Sequence, residues 1–523
     1  MFNSKLNSKY FQFKLFLILL VAISIFLRFT DLSHKVYWVD EVFTSLRISG
    51  YSEKDVSQKL FSGSLLSPSE LQKYQYPAVE KSAFDTIQGL AEKEPQQTPL
   101  YFIILRFWTQ LFGNSIQVIR SCSAFFSVLT IPAIYWLCRE LFESVSVSYF
   151  AIALISVSPF YLLYAQEARA YSLWGLTIVL SNAALLMALR VNKKISWALY
   201  SLTLIIGFYT FLYSVFIAFG QGIYVIFQEK FNFNKTVKLY LLSLGFAIIA
   251  FIPWLNIIIT HKQAILTYTG WQDGRIGLLD LVSTLIGHLG HLFIDFDINA
   301  DINILSYWLY QGINYSIVVL IIYAVYFLIC RTETKIYLFI LSLILPTGLG
   351  IILLDLIQGK HTVVAARYFM PCYLGINLAV AYLIDKQLFS GISQQVRKGW
   401  KLVVIFLISL SFLSCINILQ AETWWNKTNG YIPQMGRLIN KSENPLVINE
   451  GDFWLISLSY YLQDKSKIMV VDAKNGIDQL PAGFSDYFVF NSSTELIKIL
   501  RNSQNHRLIP LENIDSSVLF KIQ

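Results

Sequence analysis

Four groups of side chains in this 523-residue chain combine residue types and spacings that can do chemistry. Asp40 and Glu41 are adjacent carboxylates that follow the aromatic stretch Val36-Tyr37-Trp38-Val39. They read either as a general base held at a membrane surface or as the start of a helix running towards Arg47, with Asp40 as its N-cap. Glu167 and Arg169 sit in an otherwise apolar stretch. Charges there cost free energy unless partnered, which marks a functional candidate, although a snorkelling pair at a helix end has the same composition. Arg367 and Tyr368 open an apolar run, with Lys360 and His361 a few residues before them. A guanidinium fork pairs two phosphate oxygens, so this group is suited to an anion, and lipid headgroups would satisfy it too. His288 and His291, three apart and followed by Asp295, would share a helix face as metal ligands or lie along an interfacial helix.

The elements that must position these groups are apolar helices. Hydrophobic residues make up 55% of the chain, charged residues 14%, and the mean hydropathy is +0.53, values that suit a membrane better than water. The net charge of +8 does not indicate nucleic acid, because the Lys and Arg residues lie between apolar segments and form no stripe. All five cysteines fall in or beside apolar segments, so no disulfide framework is readable. A crossing helix needs about 20 apolar residues. Suitable runs lie near 11–29, 117–138, 145–164, 170–190, 238–260, 306–330, 336–357, 368–385 and 402–420. The stretch 197–227 is too long for one upright helix and is interrupted by Tyr209, Tyr213 and Ser214, so it divides into two short crossings. The first run lacks a small-residue cleavage site and reads as a retained anchor.

These runs predict about eleven spans. With the N-terminus inside, the basic connectors at 139–140, 190–194, 230–238, 331–335 and 386–401 all face the cytoplasm, as the positive-inside rule asks. The run 99–112 is too short to cross and would invert that pattern, so it is expected as an interfacial helix. Loops 31–97 and 261–305 and everything after 420 then lie outside. The tail changes character, with strand-like runs Leu446-Val447-Ile448 and Ile468-Met469-Val470-Val471 and a helix-like stretch at 494–500. The expected architecture is an all-α polytopic membrane bundle, residues 1–420, followed by a small soluble α/β domain, residues 421–523. A bacterial-type plasma membrane with the reactive face outside fits this sidedness.

No phosphate-binding Gly loop, dinucleotide fingerprint, zinc-protease helix or nucleophile elbow is present. A transporter or lipid flippase is the principal alternative, but such proteins place their sites near the bilayer midplane on broken helices, and here the middles of the spans are nearly free of charge. A non-catalytic scaffold would leave Asp40, Glu167 and Arg367 unexplained.

The ordered motifs Trp38-Val39-Asp40-Glu41, Gln97-Thr98-Pro99-Leu100-Tyr101, Phe112-Gly113 with Arg120, Gln166-Glu167-Ala168-Arg169-Ala170-Tyr171, and Arg367-Tyr368 with Pro371 make the chain similar to the glycosyltransferase C superfamily. The likeness is to the branch of protein O-mannosyltransferases and the lipid A aminoarabinose transferase. Where that branch commonly has two prolines before Leu-Tyr, this chain has Thr98-Pro99. The resemblance implies transfer of a hexose or pentose from a polyprenyl phosphate donor to a hydroxyl of a lipid, glycan or protein. It makes Asp40 the catalytic base, with Glu41 and Glu167 shaping the acceptor site or a divalent metal site. Arg169 and Arg367, with Tyr368, Lys360 and His361, would hold the donor phosphate. No other cofactor is implied.

Overall fold

The computed structural model describes residues 2–296, 304–389, 393–428, 430–472, 480–503, 507–511 and 518–522. The chain divides into two compact units, one made of Met1–Leu32, Ala91–Tyr101 and Arg120–Gln420 and the other of Ser33–Leu90, Phe102–Ile119 and Ala421–Gln523.

In the first unit every expected span is helical. Ile116–Phe142, Tyr171–Val191, Lys235–Thr260, Ile304–Arg331, Thr334–Gln358, Met370–Phe389 and Gln394–Gln420 follow Phe2–Phe29 in the chain. Among the described residues seven helices are long and apolar enough to cross a membrane, and a bent pair makes an eighth. That pair, Val145–Ser156 and Pro159–Ala165, was expected as one straight span but bends by 61°. Pro159 opens the second piece, where its missing N–H costs nothing. The expected division of 197–227 is present: Lys194–Thr210 and Ser214–Gln228 are separate helices. At about 1.5 Å per residue they span roughly 26 and 23 Å, less than the ~30 Å hydrocarbon layer. The protein is a polytopic membrane protein.

Burial ranks the helices. The apolar window of Tyr171–Val191 is 83% buried and that of 366–389 is 94% buried, whereas that of Lys235–Thr260 is 17% buried. Arg169 and Arg367 therefore each lie at the head of a central helix. Positions buried on every side explain why these two helices show no polar stripe.

The second unit is built on a five-stranded sheet. β1 (Pro445–Asn449) is flanked in parallel by β2 (Lys467–Val470) and β3 (Asp486–Phe490). β4 (Leu508–Pro510) and β5 (Leu519–Ile522) complete the order β2-β1-β3-β5-β4 with antiparallel pairs. Both faces of β1 are covered, so its sequence is a continuous apolar run and not an alternating one. One face packs Leu446, Ile448 and Val489 on the helix Thr494–Ser503 through Leu496 and Leu500. The other packs Val447, Ile468 and Phe488 with Leu455 and Ile456, and also with Val36, Tyr37, Trp38, Val42, Leu46 and Leu66.

The loop 31–97, expected to belong to the membrane-spanning part, thus shares the tail's core over Ser33–Leu90. Leu66 and Ile468 exchange backbone hydrogen bonds of 2.8 Å, so the loop adds a rung to the free edge of β2. Phe490, fully buried on this face, tests the shared core. Replacing it by Ala should cost about 3–5 kcal/mol. The measurable result is faster proteolysis within 51–90 as well as within the tail; cleavage confined to the tail would show that the two segments do not share a core.

Candidate active site

Within the first unit the segment 166–170 forms a non-helical elbow between Pro159–Ala165 and Tyr171–Val191. Its glutamine ties it to the end of the first helix: Gln166 Nε2 donates to the carbonyls of Leu27 at 2.9 Å and Thr30 at 3.0 Å. Arg120, fully buried, donates to Leu32 O at 2.6 Å. Tyr101 and Ser123 share a 2.8 Å hydroxyl hydrogen bond, and Ser123 donates onward to the Arg169 carbonyl at 3.3 Å. Tyr101, acting through Ser123, and Gln166 therefore brace the elbow, and Arg120 holds the chain just past the first helix. Glu167 is fully buried in it and Arg169 is 6% exposed. A snorkelling pair would reach water, so burial removes that explanation.

Arg367 lies on a short 3-10 turn, Ala366–Phe369, before Met370–Phe389. Its guanidinium stands 5.5 Å from the Tyr171 ring, 5.8 Å from Trp271 and 5.4 Å from Tyr368. Aromatic faces attract a weakly hydrated cation while leaving its N–H edge available to an anion. Tyr368 packs 5.1 Å from Tyr213 and 5.9 Å from Phe211, and Phe211 packs on Tyr171 at 5.7 Å. The Tyr164 hydroxyl is within electrostatic range of Arg367, Glu167, Tyr171 and Tyr368. The structure thus gathers Glu167, Arg367 and Tyr368 around one set of tyrosines.

Lys360 and His361 belong to a connector clipped to the turn after 270. His361 N–H donates to Gln272 O at 2.8 Å and Gly274 N–H to Gly359 O at 3.1 Å. Lys360 Nζ donates to Thr269 Oγ1 at 3.3 Å and lies 3.9 Å from Asp273. Asp355 accepts from the Val363 N–H at 2.7 Å. Between these segments is a cavity of about 240 Å³, lined by Arg275, Lys360 and Asp355 with Ile276, Leu281 and Val363.

His288 and His291 do share the helix Leu278–His291, as their spacing predicts, but they turn to separate partners. His288 Nε2 bonds the Val363 carbonyl at 3.0 Å, and burial pushes its pKa down to about 4. His291 Nδ1 pairs with Asp295 at 2.8 Å. Among the described residues no three His, Cys, Asp or Glu side chains gather as a metal site.

In the second unit Asp40 and Glu41 occupy the first turn of the helix Val39–Ser49, where the helix dipole favours carboxylates. The cap position is Trp38, so Asp40 is not the N-cap expected as one of its two readings. Asp40 is half-buried and Glu41 fully buried. Glu41 Oε2 accepts from Lys427 Nζ at 3.1 Å, and that ammonium stands 5.3 Å from the Trp38 ring. A carboxylate already neutralised by lysine is a poor ligand for a divalent ion. Tyr37 donates to the Glu41 carbonyl at 3.2 Å, and Val36 N–H to Glu422 O at 2.7 Å. The lysine was not among the residues the sequence singled out. Its only local signal is the position of Trp424-Trp425-Asn426-Lys427 just beyond the last apolar run.

The profile of a family described as dolichyl-phosphate-mannose-protein mannosyltransferase matches residues 94–257, which contain Tyr101, Arg120 and the 166–170 elbow. No curated protein sequence matches the chain. Among solved structures, ArnT from Cupriavidus metallidurans bound to undecaprenyl phosphate superposes with a TM-score of 0.57 over 97% of each chain at 11% identity. The apo form of the same protein gives the same values. Residues 94–257 are thus similar to that mannosyltransferase family, and the whole chain shares its fold with ArnT.

Proposed function

We propose that this protein transfers a sugar from a polyprenyl phosphate carrier to a hydroxyl of a lipid, glycan or protein at the outer face of a bacterial-type plasma membrane, with its α/β unit on the same side. The observation that carries the reading is the match of 94–257 to a family described by a dolichyl-phosphate sugar donor, over the residues that brace the Glu167 elbow. The undecaprenyl phosphate bound to the similarly folded ArnT agrees with it.

The chemistry divides between two groups of residues. Asp40 removes the proton of the acceptor hydroxyl, which then attacks the anomeric carbon as the bond to phosphate breaks. The phosphate leaves as a stabilised anion and needs no protonating acid, so one carboxylate suffices and the configuration inverts. Arg367 and Arg169, with Tyr368, Lys360 and His361, offset the charge developing on that phosphate. Glu167, buried beside Tyr164, shapes the acceptor side of the elbow.

The test is a donor panel. Purified full-length protein, with native membranes as the acceptor source, is incubated with undecaprenyl phosphate carrying different hexoses and pentoses. Release of free undecaprenyl phosphate from one donor, with the sugar appearing on an acceptor, is expected. If every donor remains intact under conditions where the protein is folded, the reading fails.

A further inference from the structure

The helix Lys235–Thr260 has the least buried apolar window of the seven long spans among the described residues, so most of its surface meets lipid. That surface is not smooth. It carries a groove of about 490 Å³ lined by Phe233, Lys238, Leu241, Leu242, Phe246 and Ile249, with Gly245 as its floor. From 238 onward these positions recur every three or four residues and form one helical stripe. The four large apolar side chains of the stripe are all exposed and stand as walls, whereas a Cβ added at Gly245 would meet no atom within 4 Å beyond its own stretch of helix. Glycine weakens a helix interior, and no packing neighbour requires it at 245. A slender chain lying across it would. From Lys238 to Ile249 the helix rises roughly 16 Å at about 1.5 Å per residue, about half of the ~30 Å hydrocarbon layer, so the groove is one leaflet deep.

Its mouth is basic. Lys238 Nζ stands 5.6 Å from the Phe233 ring at the end of the groove, and Lys230 and Lys235, in the connector and the first turn of the helix, are exposed. Ser201 donates to the Ser243 carbonyl at 2.9 Å and Tyr209 to the Ala250 carbonyl at 2.8 Å, so Lys194–Thr210 runs beside Lys235–Thr260 in the same direction. The exposed Lys193 and Lys194 therefore reach the same end. Against these five lysines, Glu229 is the only acidic residue between Arg169 and Trp271, and it accepts from Asn234 Nδ2. Arg190, at the end of the preceding helix, is already paired with Glu140 at 2.8 Å. A lone lysine at a helix end snorkels to any headgroup, but a lysine cluster at the mouth of a groove selects a negative one. A second copy of the chain docked two-fold on this face would set the same lysines against one another.

We propose that the groove binds one anionic phospholipid of the adjoining leaflet, with an acyl chain lying over Gly245 between Leu241, Leu242 and Phe246 and the phosphate held by Lys238 and Lys235. The site shares no residue with the 166–170 elbow or the Arg367 cluster and does not depend on the reaction proposed above.

The experiment is native mass spectrometry of the full chain released from neutral detergent micelles that contain equal amounts of phosphatidylglycerol and phosphatidylcholine with the same acyl chains. The wild-type protein should retain one phosphatidylglycerol in preference to phosphatidylcholine. Lys235→Gln/Lys238→Gln should weaken that retention about 25-fold, or about fivefold per lysine. Gly245→Trp keeps both lysines but fills the groove, and should abolish retention while leaving the lipid-free Tm at its wild-type value, because the space at 245 is open. Gly245→Leu makes the same test if the tryptophan variant does not fold. Equal retention of the two lipids by the wild-type protein overturns the proposal, as does a phosphatidylglycerol preference that is unchanged in the lysine variant or in the filled groove. A doubled mass that Gly245→Trp returns to that of a single chain also overturns it, because the face would then be a contact between copies.

Discussion

Replacing Asp40 by Asn is expected to lower kcat by about 10²–10⁴-fold, the range a positioned general base contributes, while the donor KM stays within about twofold. The substitution keeps size and shape in the first turn of Val39–Ser49 and removes only the ability to take a proton. The loss corresponds to about 2.7–5.4 kcal/mol of transition-state stabilisation. It should appear as unused polyprenyl phosphate sugar accumulating in membranes that contain normal amounts of folded variant. Undiminished turnover would transfer the base role away from Asp40 and leave the fold unaffected.

The second large effect belongs to Arg367. Its guanidinium is held among the rings of Tyr171, Trp271 and Tyr368, all within 6 Å of its centre. An arginine fixed in this way meets a phosphate without first losing much freedom, and in the proposed reaction it would act where negative charge grows as the sugar departs. Arg367→Met should cost about 10²–10³-fold in kcat/KM, with a rise in donor KM because ground-state phosphate is bound by the same group. Arg367→Lys keeps the charge but not the planar fork and should fall between the two. Single-turnover transfer with a fixed lipid-linked donor distinguishes the three. A Met variant as active as wild type would mean that another cation, such as Arg169 or Lys360, carries the phosphate.

The helices were the most legible part of the chain, because a membrane span is written as an uninterrupted apolar run. Each run expected from hydropathy is helical, including the two pieces on either side of 211–213. The bend at Ser158-Pro159 was missed because apolar content continues through it, and only the proline marks the break. The first two strands of the tail were readable for the same reason as the helices: β1 is covered on both faces and so reads as a solid apolar block. β4 has only three residues, too short for periodicity to show.

Of the candidate site, the residues that carry charge in apolar surroundings were visible, since burying them is costly enough to be noticed. Their partners were not. Glu41 meets Lys427 and Arg367 meets Trp271 across long sequence separations, and no local pattern encodes such pairs. His288 shows the converse case, in which spacing was right for a shared helix face but a backbone carbonyl took the ring nitrogen instead.

The rung between Leu66 and Ile468 also has a bearing on how the chain is made. About four hundred residues separate the two, and translation at roughly 5–20 residues per second puts on the order of 20–80 s between their emergence from the ribosome. Throughout that interval Val36, Tyr37, Leu46 and Leu66 have been synthesised but the sheet that buries them has not. The loop's apolar face therefore waits for its partner while the later helices are made. A messenger truncated after codon 420 would leave that apolar face permanently uncovered.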